Sequence, residues 1–234
     1  MNNLYYGYDS YITTLLLIGG FLITLFAQIK VKSTYNKYSN KNTKEKLSGF
    51  EIARIILDSN DLKNIHIVEV KGNLTDHYDP QNKVVRLSTN VFHDSSIASV
   101  AVAAHECGHA IQDKENYTFM RIRAKLVPVV NFINKTGYIA TLLGIIFSVF
   151  DLLIIGIFML LITLLFQLVT LPVEFDASKR AKIKIEKLNL ATKDEQEGVN
   201  KMLSSAAFTY VASVLETLFN LLRLIFIFNS RNDE

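Results

Sequence analysis

The stretch HECGH at residues 105–109 places two histidines four positions apart, with a glutamate directly after the first. On an α-helix such positions lie one above the other, with Cβ atoms about 5–6 Å apart, so both imidazoles can reach one ion at about 2.0–2.1 Å. Glu106 lies about 100° round the helix from His105, near enough to reach a water on that ion without ligating it. This is the chemistry of a zinc hydrolase: the metal lowers the pKa of its water, and the carboxylate takes the proton and passes it on. The plain alternative is a chance coincidence on an amphipathic helix. Against it, SSIASVAVAAHECGHAIQD (95–113) reads as one continuous helix rich in alanine and serine, capped by Asp94 or Ser95, which is the context the motif requires.

Two histidines do not complete a site. Asp113 shares their face but lies eight residues from His105, about 12 Å along the axis, beyond the reach of short metal bonds; it reads as a solvated helix end. His66, His77 and His93 fall at strand or loop positions where exposure is ordinary. Glu174, in LPVEFDAS (171–178), is the better third ligand. With Thr163, Gln167 and Thr170 it forms a polar stripe on an otherwise apolar helix, which Pro172 could kink.

The elements that must carry these groups are largely apolar. The chain has 234 residues, 50% of them hydrophobic, and only three prolines. A membrane span needs about 20 apolar residues. Four stretches qualify: 11–29, about 127–149, 152–171 and 208–228, with Asp151 as the tip of a hairpin between the middle two. The first has no lysine or arginine ahead of it and no small-residue cleavage pattern behind it, so it reads as an anchor and not a signal peptide. Residues 30–46 carry six lysines against one glutamate, and SKRAKIKIEK (178–187) is again basic, which places both segments in the cytoplasm. The net charge of +3 is too mild to argue for nucleic acid.

Between the first two spans lies a polar segment. SGFE (48–51) is a capping box that opens a helix, IHIVEV (65–70) alternates as a strand does, and KVVRLS (83–88) follows the turn DPQNK and pairs with it in a small sheet. The expected fold is therefore a mainly α membrane protein of about four transmembrane helices with a small cytoplasmic α+β insert carrying the HExxH helix. Its segments are an anchor (1–30), a cytoplasmic metallopeptidase segment (31–125), a transmembrane hairpin (126–171), a cytoplasmic helix with the third ligand (172–207) and a last span with its tail (208–234).

HECGH, with DHYDP (76–80) before it and PVEFDAS (172–178) after it, resembles the YugP-type family of bacterial membrane neutral zinc metallopeptidases, and the order of the three motifs covers nearly the whole chain. The resemblance implies a zinc-dependent membrane peptidase with His105 and His109 as ligands and Glu106 as base. More distantly, the pattern is similar to HtpX-type membrane proteases, in which the glutamate ligand is followed four residues later by an aspartate. Here that position is Ser178, and the aspartate is Asp176, two residues after Glu174. This departure leaves the outer partner of the histidines unassigned.

Other residues keep two readings. GNLTDHYDPQNKVVRLS (72–88) is a hairpin whose edge could hold an extended peptide, and His77 or Tyr78, or Tyr210 further on, could stabilise an oxyanion; equally, Asp79-Pro80 is turn chemistry and His77 simply exposed. Cys107 reads as a small buried residue among alanines, not as a redox group. In the last span Thr209, Ser213, Glu216, Asn220 and Arg223 share a face, as interhelical adhesion or a hydrated route would need.

These readings converge on a multi-pass zinc endopeptidase of the cell membrane, its active site facing the cytoplasm, its cofactor Zn2+, and its partners the bilayer and a protein or peptide substrate. The rival is a membrane scaffold or chaperone with a structural or vestigial zinc, and a transporter is a third. The topology is testable in intact cells on a Cys107→Ala background. Asn40→Cys and Lys187→Cys are expected to be protected from an impermeant thiol reagent and Asn3→Cys and Ser230→Cys to be labelled; labelling at 40 or 187 would overturn the orientation.

Overall fold

The computed structural model describes residues 2–147 and 150–232. The protein is mainly helical with one small sheet, and it divides into two compact units: residues 1–28, 121–171 and 209–234, and residues 29–120 and 172–208.

The first unit draws on four long helices, α1 (Asn2–Ser39), α5 (Thr118–Ile146), α6 (Phe150–Lys187) and α7 (Lys193–Asn232), three of which, α1, α6 and α7, also extend well into the second unit. Among the described residues three helices are long and apolar enough to cross a membrane, over Tyr11–Ser39, Asp151–Lys187 and Lys193–Asn229. The run expected at about 127–149 falls on α5, which is not one of the three; its N-terminal half carries Arg121, Arg123, Lys125 and Pro128. Asp151 sits in the first turn of α6, and positions 148 and 149 of the expected hairpin lie outside the described residues. Leu15, Phe21, Phe158 and Leu165 point outward, as side chains facing lipid would. The hydroxyls on these helices turn back on their own backbones: Thr24 donates to the Gly20 carbonyl (3.0 Å), Thr163 to Met159 (3.0 Å) and Thr170 to Phe166 (2.8 Å). Each hydroxyl thus has an acceptor on its own helix.

The second unit holds the HExxH helix and Glu174. Its helix α2 (Gly49–Asp58) begins at the capping box read from SGFE: the Ser48 side chain accepts from the Glu51 N–H, and the Glu51 carboxylate accepts from the Ser48 N–H at 2.8 Å. Three strands follow, β1 (His66–Val70), β2 (His77–Asp79) and β3 (Val84–Ser88), in the order β1-β3-β2. β1 runs parallel to β3, with Val68 opposite Arg86, while β2 and β3 form the antiparallel hairpin with Tyr78 opposite Val85. Ile52, Ile56 and Leu57 of α2, Val85 and Leu87 of β3, and Val100, Ala101, Ala104 and Cys107 of the next long helix are all buried in one core.

That helix is α4 (Ile97–Lys114), and its start departs from the sequence expectation. The N-cap is Ser96, whose side chain accepts from the Ser99 N–H at 3.1 Å, and neither Asp94 nor Ser95 caps it. Both are committed elsewhere: Asp94 closes a separate short helix, α3 (Thr89–His93), with its N–H on the Asn90 carbonyl, and the Ser95 carbonyl accepts from Thr43 N–H at 2.9 Å.

α4 is thin along one side because α6 passes very close to it. A Cβ placed on Gly108 would lie 2.5 Å from the Ala177 carbonyl oxygen, so only hydrogen fits at this crossing. The backbone oxygen cannot move aside as a flexible side-chain end would. Gly108→Ala is therefore expected to force α4 and α6 apart and lower unfolding stability by about 1–3 kcal/mol, measured by denaturant unfolding in detergent.

Candidate metal centre

The Gly108 crossing decides which side chains meet. From α4, His105 and His109 face α6 one turn apart, their rings 4.8 Å between centroids and almost perpendicular. From α6, Glu174 reaches both: its Oε2 lies 3.3 Å from His105 Nε2 and 3.5 Å from His109 Nε2. The donor atoms of the three residues all fall within 4.8 Å of one another. Ligands arranged tetrahedrally around an ion at about 2.0–2.1 Å stand about 3.3 Å apart, so these atoms need little movement to share one cation. Two imidazoles and a carboxylate are also the donor set of many catalytic zinc sites. Among the described residues this is the one group of three or more such side chains able to hold a metal ion.

Glu106 projects from the same helix but is turned toward β2, where the Tyr78 backbone N–H donates to its carboxylate. Burial pushes its pKa up to about 7; the charge of His105 and the Tyr78 N–H oppose that rise, and the Glu174 and Asp76 carboxylates add to it. A buried carboxylate in this range can both take and return a proton near neutral pH.

The strand that holds Glu106 is fixed by the motif DHYDP. Asp76 accepts from Ser88 N–H (2.7 Å) and from the Ser88 hydroxyl, and burial raises its pKa against those hydrogen bonds. Asp79 accepts from the N–H groups of Gln81 and Asn82, both at 3.1 Å, and so makes the turn. Tyr78 is buried and donates its hydroxyl at 2.8 Å to Asp113. Asp113 is thus not the solvated helix end its position suggested: it is 3% exposed, and Lys83 pairs with it as well. The β2–β3 hairpin, with Tyr78 on β2 and Lys83 in its turn, folds back over the end of α4, a contact between residues 30 and 35 positions apart.

His77 is exposed, with Nδ1 2.8 Å from the Thr75 carbonyl, and His66 and His93 are exposed too. Cys107 is fully buried, its Sγ against the Ala53 carbonyl at 3.6 Å, and burial drives its thiol pKa upward, which suits packing and not thiol chemistry. Tyr210, Glu216 and Arg223 lie on α7.

Two residues stand behind the histidines: Ser178, noted in the sequence only as the residue at the HtpX-type aspartate position, and Gln112, which the sequence did not single out. Ser178 places its hydroxyl 3.2 Å from His105 Nδ1, and Gln112 places its amide oxygen 3.0 Å from His109 Nδ1. Gln112 in turn donates to Asp176 Oδ2 at 2.9 Å. A polar amide inside an alanine-rich helix, one turn beyond the second histidine, was the signal available for Gln112.

Compared with known proteins, residues 13–229 match the family model described as "Putative neutral zinc metallopeptidase". The chain belongs to this family. It is also 45% identical over 212 residues, 91% of its own length and 94% of the relative's, to the "Putative membrane protease YugP" of Bacillus subtilis (strain 168). No solved structure matches it. The three converging donors and the buried Glu106 all lie within the matched residues.

The ligand set has a direct test. Glu174→Ala is expected to lower zinc per chain as strongly as His105→Ala or His109→Ala, measured by metal analysis of detergent-purified protein, because each leaves two donors. Asp113→Asn should keep its zinc. Full zinc in Glu174→Ala with loss in Asp113→Asn would show the third ligand to be misassigned.

Proposed function

We propose that the protein is a zinc-dependent endopeptidase integrated in the cell membrane, with Glu106 as general base and His105, His109 and Glu174 as metal ligands. The observation that carries this reading is the convergence of the three donor atoms beside a buried carboxylate that is not one of them. Zinc held there would lower the pKa of a water toward neutrality and polarise a peptide carbonyl. Glu106 then takes a proton from the attacking water and delivers it to the departing amine as the C–N bond breaks, leaving a new carboxyl and a new amino terminus. The Tyr78 N–H keeps the Glu106 carboxylate aimed while it cycles between its two protonation states.

In this reading the centre works at the cytoplasmic face of the membrane. The six lysines of 30–46 and the basic run 178–187 support that orientation. The substrate in this reading is a protein or peptide lying extended along β2, whose outer edge flanks the HExxH helix.

The scaffold alternative requires a closed structural site with four protein ligands. Only three donors gather among the described residues, which favours an open, catalytic site. Glu106→Gln separates the two readings, because it keeps the shape and hydrogen bonding of the side chain and removes its base. The variant is expected to retain zinc at the wild-type level while casein cleavage falls about 10²–10⁴-fold. Equal zinc with equal cleavage would remove Glu106 from the mechanism.

A further inference from the structure

The geometry assigns Gln112 as the positioning residue that fixes the tautomer of His109, leaving His109 Nε2 as the ring nitrogen free to bind a metal. The assignment rests on the metal-centre reading above and adds to it a residue that touches neither ion nor substrate.

Gln112 is fully buried, and every hydrogen-bonding atom of its amide is engaged. Nε2 donates one hydrogen to the Val173 backbone carbonyl at 2.8 Å and the other to Asp176 Oδ2 at 2.9 Å. A carbonyl and a carboxylate only accept. Turning the amide over would press Oε1 against both of these oxygens, at distances where each contact would be repulsive. The amide is therefore held one way round, and Oε1 faces His109 Nδ1 at 3.0 Å.

Oε1 has no proton to give, so the hydrogen in that contact belongs to His109 Nδ1. The neutral ring then carries its lone pair on Nε2, the atom 3.5 Å from Glu174 Oε2. Asp176 can serve as the fixed acceptor because it is itself paired. Arg180 Nε binds the same Oδ2, and Arg180 Nη1 reaches Glu115 at 2.6 Å. Gln112 belongs to α4 and Glu115 caps its C-terminus, while Val173, Asp176 and Arg180 belong to α6, so the chain of bonds that orients the amide also ties the two helices together.

His105 differs in kind. Its Nδ1 faces the Ser178 hydroxyl, which can donate or accept, so this contact suits either tautomer. One histidine is thus set in advance and the other is free to adapt. Partners of this sort typically change metal affinity by 10–100-fold.

The test uses full-length, metal-free protein in detergent with 15N-labelled histidine, at about pH 8, above the ordinary range of a free imidazole. His109, identified by the signals missing from His109→Gln, is expected to show a protonated Nδ1 and an unprotonated Nε2. In Gln112→Met, which has similar length but no donor or acceptor, His109 should become a mixture of tautomers while the His105 signals stay unchanged. Its zinc dissociation constant, measured by chelator competition, should rise about 10–100-fold. A wild-type His109 that is protonated on Nε2 or mixed would overturn the assignment, as would wild-type zinc affinity in Gln112→Met. The wild-type spectrum decides the matter even if Gln112→Met does not fold. Because that spectrum is recorded without metal, a chain that binds no zinc would refute the metal reading and leave the tautomer result standing; zinc binding with a mixed His109 would do the reverse.

Discussion

The contact between Gly108 and the Ala177 backbone is the constraint from which the centre follows. Helices separated by ordinary side chains sit about 8–10 Å apart, whereas at this crossing even one methyl group on α4 would collide. The closeness matters because the bonds across the gap are short. On α4 the face turned to α6 carries His105, Gly108, His109 and Gln112, spaced three, one and three. On α6 the answering face carries Val173, Glu174, Asp176, Ala177 and Ser178. Glycine sits in the middle of the first set and alanine in the second, so the small residues bring the backbones together and the polar residues around them make the contacts. A bulkier residue at 108 would move every one of these partners at once.

Around that crossing the protein buries an unusual number of polar groups, and nearly all are matched. Gln112 is satisfied at all three of its contacts, Asp76 by Ser88, and Asp113 by Tyr78 and Lys83. The motif DHYDP explains much of this economy. Its first aspartate ties β2 to the end of β3, its tyrosine ties β2 to the end of α4, and its second aspartate makes the turn. The strand this produces is only three residues long, yet it is held at both ends and in the middle, and it aims one N–H at Glu106. The tyrosine hydroxyl is engaged by Asp113, so the role visible for Tyr78 is to hold the strand in place.

How much of this could be read from the sequence depended on the range of the interaction. Local signals were legible: the capping box at Ser48, the HExxH helix, the β2–β3 hairpin and the polar position 174 on an apolar helix all follow from periodicity and cap chemistry. What was hidden involves residues far apart in the chain. The N-cap moved to Ser96 because residues 89–93 form their own helix and Thr43 claims the Ser95 carbonyl. The parallel pairing of β1 with β3 rests on a register that no turn dictates. Asp113 looked solvated because its partners, Tyr78 and Lys83, arrive from a hairpin 30 or more residues earlier. The partners of Gln112 and Ser178 were hidden for the same reason: periodicity shows which face a residue occupies but not what lies opposite. The aspartate sought directly behind a histidine is present as Asp176, but it acts on His109 through Gln112, while the hydroxyl at 178 meets His105.

The same facts bear on why such a cluster exists in a folded protein at all. Buried ionisable groups are poor sources of stability: removing a carboxylate from water costs several kcal/mol even after the protein relaxes, and well-packed apolar residues would often serve the fold better. Glu106 feels the charges of both Glu174 and Asp76, and Glu174 lies against the two imidazoles. If holding α4 against α6 were the only requirement, the alanines and glycine already at the crossing would suffice. A divalent cation among His105, His109 and Glu174 changes the balance, because it supplies opposite charge where three carboxylates approach and gives the two Nε2 atoms a common partner. The crossing therefore makes better physical sense as a cradle for a cation than as packing, and the neutral, tautomer-fixed His109 is the form of imidazole such a cradle requires.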